Sequence, residues 1–102
     1  MIHIEIPQER IAAFSRKWKV AELSLFGSVL RDDFRPDSDI DILVSFMPDE
    51  QWSLFDLMEM KDELAAIFDR KVDLIERRAV ERSANYIRRN AILGHTERLY
   101  AG

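Results

Sequence analysis

Three aspartates and a glycine-serine pair are the residues of this sequence whose types and spacing could perform chemistry. Asp39 and Asp41 stand two residues apart at the start of an apolar segment, Asp73 interrupts a second apolar segment, and Gly27-Ser28 follows a third. Side chains at positions i and i+2 of a strand lie on the same face, with Cα atoms about 6.6 Å apart, so Asp39 and Asp41 could reach one cation. Such a pair is also common on exposed sheet faces that bind nothing.

Asp73 adds weight to a metal site because it is the one polar residue in the apolar run Val72 to Ile75. A solitary carboxylate there is costly unless it is solvated, paired or bound to a metal. If this run forms a strand beside the one that carries Asp39 and Asp41, three carboxylates converge, and a divalent cation would relieve their repulsion. Ligands that offer only oxygen favour Mg²⁺ or Mn²⁺.

The pair Gly27-Ser28 lies where a short strand meets a short helix. A residue without a Cβ lets backbone approach a ligand, and N–H groups at the start of a helix face an anion, so a phosphate would fit there. The alternative is an ordinary turn in which Ser28 caps the helix. Arg31 lies on the same helical face as Ser28, where it could add charge to a phosphate site or pair with Asp32 or Asp33.

The surrounding pattern predicts the elements that position these residues. Strand 40–46 is the clearest, and its alternation places Ile40, Ile42, Val44 and Phe46 on one face and the aspartates on the other, away from the main core. Ser53 and Asp56 resemble a capping box. The full predicted order is helix 8–19, strand 23–26, short helix 28–33, strand 40–46, helix 53–69, strand 72–75 and a last helix ended by Gly94.

The predicted fold class is α/β (α+β), with a small mixed sheet and helices packed on one face. Three helical stripes define the predicted core contacts. The stripes are Ile11, Phe14 and Trp18; Leu54, Leu57, Met58, Leu64, Ala65 and Phe68; and Val80, Ala84, Ile87 and Ala91.

Composition restricts the class of protein. The 102 residues are 47% hydrophobic and 33% charged, which predicts one domain over residues 1–102. The absence of cysteine excludes disulfides and cysteine-built metal centres. The N-terminus lacks the pattern of a signal peptide, and no apolar run approaches the roughly 18 residues of a spanning helix, so we expect a cytoplasmic protein without membrane contact.

Charge is distributed unevenly. Residues 32–63 contain eleven acids against Arg35 and Lys61, whereas residues 70–98 contain eight Lys or Arg against four acids. Solvated helix faces often look like this, but the acidic block is also consistent with metal binding. The net charge of −4 argues against strong nucleic-acid affinity.

Taken together, these motifs resemble the nucleotidyltransferase signature of the DNA polymerase β superfamily. The segments LFGSVLR, from Leu25 to Arg31, and RPDSDIDILV, from Arg35 to Val44, are similar to its minimal nucleotidyltransferase (MNT) branch, and the later Val72-Asp73-Leu74 fits the same pattern. The resemblance is close over about residues 20–76. One position departs from it, since Asp32 stands where many such proteins have glycine after the motif arginine.

The resemblance implies a function for each motif. Asp39, Asp41 and Asp73 would be catalytic and would hold two Mg²⁺ or Mn²⁺ ions, with Asp73 able to receive the proton of the attacking hydroxyl. The nucleotide, ATP, would be bound by four further positions, which are Gly27, Ser28, Arg31 and Ser38.

The resemblance also implies a partner. MNT proteins usually act as antitoxins that transfer AMP from ATP to a HEPN-type toxin ribonuclease, typically onto a tyrosine, and a chain this short leaves little room for an acceptor-binding domain of its own. Two alternatives remain. One is an antitoxin that neutralises by binding alone, for which Trp52, Phe55 and Met60 could form an exposed apolar anchor. The other is transfer to the hydroxyl of a small molecule.

Two further sets of residues receive weaker predictions. Arg78, Arg82, Tyr86 and Arg89 would share one face of a continuous helix and could contact nucleic acid, although a solvated or partner-facing helix is the simpler interpretation. His3 and His95 have no partner pattern and receive no role.

Overall fold

A four-stranded sheet positions the residues of interest in this computed structural model, which describes residues 6–27, 39–82 and 84–101, apart from the side chains of Tyr86 and Arg88. The elements in chain order are α1 (Gln8–Lys17), β1 (Val20–Phe26), β2 (Ile40–Phe46), α2 (Leu54–Phe68), β3 (Val72–Glu76), α3 (Arg77–Glu81), α4 (Tyr86–Leu93) and β4 (Thr96–Ala101).

The strands lie in the order β3-β2-β1-β4. β1 is antiparallel to β2 and to β4, and β2 is parallel to β3, so the sheet is mixed as the sequence predicted. A parallel pair needs a crossover between its strands, and α2 supplies it. The predicted short helix 28–33 lies outside the described residues.

One face of the sheet carries the main core. Ile40, Ile42 and Val44 are fully buried there against α1 and α2. From α2, Met60 and Leu64 are fully buried in the same core. Each such aliphatic side chain contributes about 1.5–3 kcal/mol by leaving water. This face confirms the predicted alternation along β2.

Local signals set the ends of α2 and its contact with α1. Ser53 Oγ accepts a hydrogen bond from the backbone N–H of Asp56, and the Asp56 carboxylate accepts one from the N–H of Ser53, which confirms the capping box. Glu63 on α2 accepts hydrogen bonds from Trp18 Nε1 at 3.1 Å and from Lys17 Nζ at 3.0 Å. These bonds fix α2 beside α1.

Two predicted helical stripes are partly wrong. On α2, Leu54 and Met58 are exposed, whereas Met60, which was placed outside the stripe, is fully buried. This helix has apolar residues on two faces, so the spacing of apolar residues alone predicted a stripe that contains residues of both faces.

The predicted last helix is two helices. Asn85 precedes α4, and its backbone carbonyl accepts a hydrogen bond from the N–H of Arg89 at 3.0 Å. The break lets Val80 of α3 and Ile92 of α4 both pack against Phe26 and Leu43, on the second face of the sheet. Helices thus pack on both faces, and the predicted contact residues Ala84, Ile87 and Ala91 are exposed instead.

The fourth strand was not predicted. Gly94 ends α4 as expected, with its N–H donating to the carbonyl of Asn90, but the chain then continues as β4 along the edge of β1. Only Leu99 of this strand is buried. An edge strand with one buried residue lacks the apolar alternation by which strands are recognised.

Candidate active site

Strand register brings Asp41 and Asp73 together. They are direct partners in the parallel pair of β2 and β3, and neighbouring strands lie about 4.8 Å apart. Both face away from the buried Ile40 and Ile42, toward the second face of the sheet, as the sequence predicted for Asp41. Two carboxylates at this spacing can bind one cation from the same side.

Asp39 lies one step outside this pair. It directly precedes β2 and is half-buried, and alternation gives it the same face as Asp41. The pairing of β2 with β3 begins at Ile40 and Val72, where the N–H of Ile40 donates to the carbonyl of Lys71 at 3.0 Å. Asp39 therefore lies just outside the paired part of β2 and β3.

The expected convergence of three carboxylates is accordingly only partly present. Within residues 6–27, 39–82 and 84–101, no group of three histidine, aspartate or glutamate side chains is arranged to hold a metal ion. Asp41 and Asp73 are side by side, and Asp39 is two residues farther along the strand.

Gly27 ends β1 directly against Asp41. Its φ of 76° lies in the left-handed region, which strains other residues. A Cβ at this position would also overlap the Asp41 carboxylate, at Oδ2. Glycine is therefore required here for two separate reasons, and its lack of a side chain leaves room for the Asp41 carboxylate to lie against the backbone.

A cavity of about 490 Å³ lies over these residues. Its volume is within the range of about 300–1,000 Å³ that holds small ligands. One wall carries the two carboxylates, and the other is apolar and comes from β3 and α4. The lining residues are Phe26, Gly27, Asp41, Asp73, Ile75, Ala91, Ile92 and His95.

His95 is a cavity residue that sequence reasoning missed. It received no role because it was placed near a chain end, but β4 returns the chain to the sheet and puts His95 at the cavity wall. Recognition of Thr96 to Ala101 as a strand beginning directly after Gly94-His95 would have found it. An imidazole beside two carboxylates can donate or accept a hydrogen bond to a bound ligand.

A second groove, of about 720 Å³, lies on the same sheet face. At its centre Glu22 is paired with Arg77 at 3.1 Å and with Arg98 at 3.6 Å. Two guanidinium groups around one carboxylate leave a net positive charge, and the hydroxyl-bearing residues Ser24, Ser45 and Thr96 complete a polar lining. Thr96 pairs with Phe26, which joins this groove to the cavity.

Three predicted nucleotide-binding residues, Ser28, Arg31 and Ser38, lie outside the described residues, as does His3. The predicted basic helix face is not continuous, because Arg78 is in α3, Arg82 follows its end and Arg89 is in α4. That interruption removes the helical spacing on which the nucleic-acid interpretation depended. No helix in the described part of the chain is long and apolar enough to span a bilayer.

Comparison with known proteins places this geometry in a family. The sequence pattern of the nucleotidyltransferase domain matches residues 9–95. MJ1217 of Methanocaldococcus jannaschii, a candidate protein adenylyltransferase, is 34% identical over 76 residues, which are 74% of this chain and 76% of that protein. The protein adenylyltransferase MntA of Thermococcus cleftensis is 39% identical over 59 residues, 58% of each chain.

A solved structure gives the same result for the fold. A chain from the complex of a tri-AMPylated Shewanella oneidensis HEPN toxin with an MNT antitoxin superimposes with a TM-score of 0.63 and 25% identity, covering 93% of this chain and 70% of that one. The mixed sheet is therefore that of a nucleotidyltransferase domain, and this chain belongs to the nucleotidyltransferase domain family.

Proposed function

We propose that this protein is an antitoxin that transfers AMP from ATP to a hydroxyl of a HEPN-type toxin and so neutralises it. The proposed acceptor hydroxyl belongs to a tyrosine. The observation that carries the proposal is the register pair Asp41 and Asp73 beside Gly27 in a cavity of ligand size. The relatives support both halves, since MntA is named a protein adenylyltransferase and the Shewanella complex holds an AMPylated toxin.

The residues present fit a divalent cation. Asp41 and Asp73 offer carboxylate oxygens, which suit Mg²⁺ or Mn²⁺. Gly27 has no Cβ, so the Asp41 carboxylate can lie against its backbone, and both residues line the cavity. Asp41 and Asp73 would hold the ions, with Asp39 joining them from the start of β2. When bound, the two ions would neutralise phosphate charge and lower the pKa of the attacking hydroxyl.

The transfer step needs ATP and the acceptor hydroxyl as its only reactants. The acceptor oxygen bonds to the α-phosphorus of ATP, the bond from that phosphorus to the oxygen bridging to the β-phosphorus breaks, and pyrophosphate leaves. The hydroxyl proton passes to a carboxylate oxygen of Asp73, which lines the cavity next to Asp41. What the chain contributes is orientation, because a positioned nucleophile and phosphorus react far faster than free ones.

Nucleotide binding is proposed to begin where β1 ends. Gly27 marks this point, and Ser28 with the adjoining backbone would hold the β- and γ-phosphates. Arg31 and Ser38 would add further contacts to the same triphosphate. His95 and the apolar wall formed by Ile75 and Ile92 face the same cavity, where they can contact the rest of the nucleotide.

The acceptor hydroxyl is proposed to come from another molecule. The polar groove around Glu22, Arg77 and Arg98 adjoins the cavity on the same sheet face and provides a surface for the approaching partner. A protein acceptor fits the named relatives better than a small molecule does.

The test is transfer of label from ATP labelled at the α-phosphate to the cognate HEPN partner in the presence of Mg²⁺. We expect label on the partner with the wild-type chain and none with Asp39→Ala. Label that never reaches the partner, with Asp39→Ala behaving like the wild type, would contradict the enzymatic function.

A second experiment addresses the antitoxin that acts by binding alone. A triple variant in which Asp39, Asp41 and Asp73 are all replaced by alanine is tested for neutralisation of the toxin in cells. The enzymatic proposal expects neutralisation to be lost although the complex still forms. Full neutralisation by the triple variant would favour the alternative.

A further inference from the structure

The start of α2 exposes three large apolar side chains that the fold does not use. Leu54 is 71% exposed, Phe55 is 81% exposed and Met58 is 56% exposed. They occupy positions i, i+1 and i+4 of one helix, so they form one continuous area of surface. We call these three residues the apolar patch.

The opposite side of the same helix shows that the patch is not a displaced part of the core. Met60 and Leu64 are fully buried against the sheet, and Leu57 packs beside them. Trp52, just before the helix, is half-buried and stacks edge-on against Trp18, with ring centres 5.2 Å apart. Of the predicted anchor residues Trp52, Phe55 and Met60, Phe55 is therefore the one that is free for contact.

The surroundings of the patch are acidic. Glu59 and Asp62 are exposed and continue the same face of α2 over its next turn. Asp49 and Glu50 precede the helix. Lys61 is the only basic residue in the interval 47–63, which contains six acids.

The negative charge around the apolar patch favours one kind of binding partner over the others. In a symmetric dimer through the patch, the acidic residues of two copies would face each other, and such like charges oppose association. A membrane surface with anionic lipids would be repelled in the same way. A protein helix whose apolar stripe is flanked by lysine or arginine satisfies both the apolar patch and its acidic surroundings.

We propose that the apolar patch is a docking site for a basic amphipathic helix of the partner protein. The proposal rests on the proposed function in that the partner is the HEPN-type toxin. The patch belongs to α2, which packs on the face of the sheet opposite the cavity. A partner held there leaves the cavity open, so holding a partner and modifying it become separable properties.

The first test uses a defined probe. A labelled 18-residue peptide with leucine at helical spacing and lysine at the other positions is titrated with the full chain, and anisotropy reports binding. We expect the double substitution Leu54→Ser with Phe55→Ser to raise the dissociation constant about tenfold or more, as loss of a central apolar anchor does. We expect Glu59→Lys with Asp62→Lys to weaken binding as well.

Ile87 provides the matched control. It is 71% exposed on α4 but is not part of the patch, so Ile87→Ser should leave peptide binding unchanged. A peptide with glutamate in place of lysine should not bind. Equal binding by the wild type and the Leu54, Phe55 double variant would overturn the proposal, as would sedimentation showing a wild-type dimer that this variant abolishes.

The second test uses the cognate HEPN partner and has two readouts, complex formation without nucleotide and label transfer after ATP and Mg²⁺ are added. It separates this proposal from the proposed function. If complex formation requires the patch but label from ATP is never transferred, the docking site stands and the transferase function fails. If label is transferred and the patch variants form the complex as well as the wild type, the function stands and the docking site fails.

Discussion

The two faces of the sheet use the same strands for different purposes. Along β2, Ile40, Ile42 and Val44 are fully buried against α1 and α2, whereas Asp41 between them faces a cavity on the other side. Among the residues that the structure describes, the second face has a smaller apolar cluster around Phe26 and Leu43. Because the side chains of a strand alternate with a period of two, one seven-residue segment can both stabilise the fold and hold the candidate site.

The largest expected effect is a loss of activity from a substitution on the open face of the sheet, which is the face that carries the cavity. Asp41→Asn should lower AMP transfer about 10³-fold, equivalent to about 4 kcal/mol in the barrier, because the amide cannot supply the charge that holds a divalent cation. The unfolding free energy should change by less than about 1 kcal/mol, since the substitution keeps the shape of the side chain. Single-turnover transfer and urea unfolding measure the two quantities. A large loss of stability would show that the faces are not separable.

The next largest effect is a loss of stability from a substitution on the packed face, which is the face that holds the main core. Leu64→Ala should lower the unfolding free energy by about 3 kcal/mol, because it leaves a cavity where the leucine is fully buried. Urea denaturation measures it. Met58→Ala on the exposed side of the same helix is the control and should change stability by less than about 0.5 kcal/mol. Similar losses from both variants would contradict the assignment of core and surface on α2.

Gly27→Ala tests the contact between backbone and carboxylate. The left-handed φ costs about 1 kcal/mol, and the overlap with Asp41 adds to it. We expect a total loss of stability of about 1–2 kcal/mol together with reduced transfer. In the background Asp41→Ala, the loss should fall to the backbone part alone, since the overlapping group is gone. An unchanged loss in that background would show that the carboxylate plays no part.

The smallest effect lies outside both faces. Ser53→Ala removes the capping hydrogen bond to Asp56 and should cost about 1 kcal/mol in unfolding free energy, with transfer unaffected. Thermal and urea unfolding measure the first quantity, and the labelling assay measures the second. Reduced transfer in a folded Ser53→Ala protein would link the start of α2 to the cavity.

Local patterns allowed much of this arrangement to be predicted from the sequence. The alternation in β2, the capping box at Ser53 and the stop at Gly94 each depend on residues close together in the chain. The orientation of Asp41 follows from the same alternation. The pairing of Asp73 with Asp41 was predicted only conditionally, because strand neighbours are set by tertiary contacts.

Other features could not be predicted because they depend on packing. β4 is an edge strand with one buried residue, so its pattern was not recognised and His95 was missed with it. α2 has two apolar faces, and only the position of the sheet shows that Met60 is inside and Met58 outside. The division of the last helix before Tyr86 lets Val80 and Ile92, which are 37 and 49 positions after Leu43, join the same cluster as Leu43.

Binding of Mn²⁺ tests the central claim that Asp41 and Asp73 act as one unit on the open face. The free-ion signal in electron paramagnetic resonance is followed as the protein is titrated in the presence of a non-hydrolysable ATP analogue. We expect the wild type to bind Mn²⁺, and Asp41→Asn, Asp73→Asn and the double variant each to lose it to the same extent. Undiminished Mn²⁺ binding by Asp73→Asn would contradict the claim.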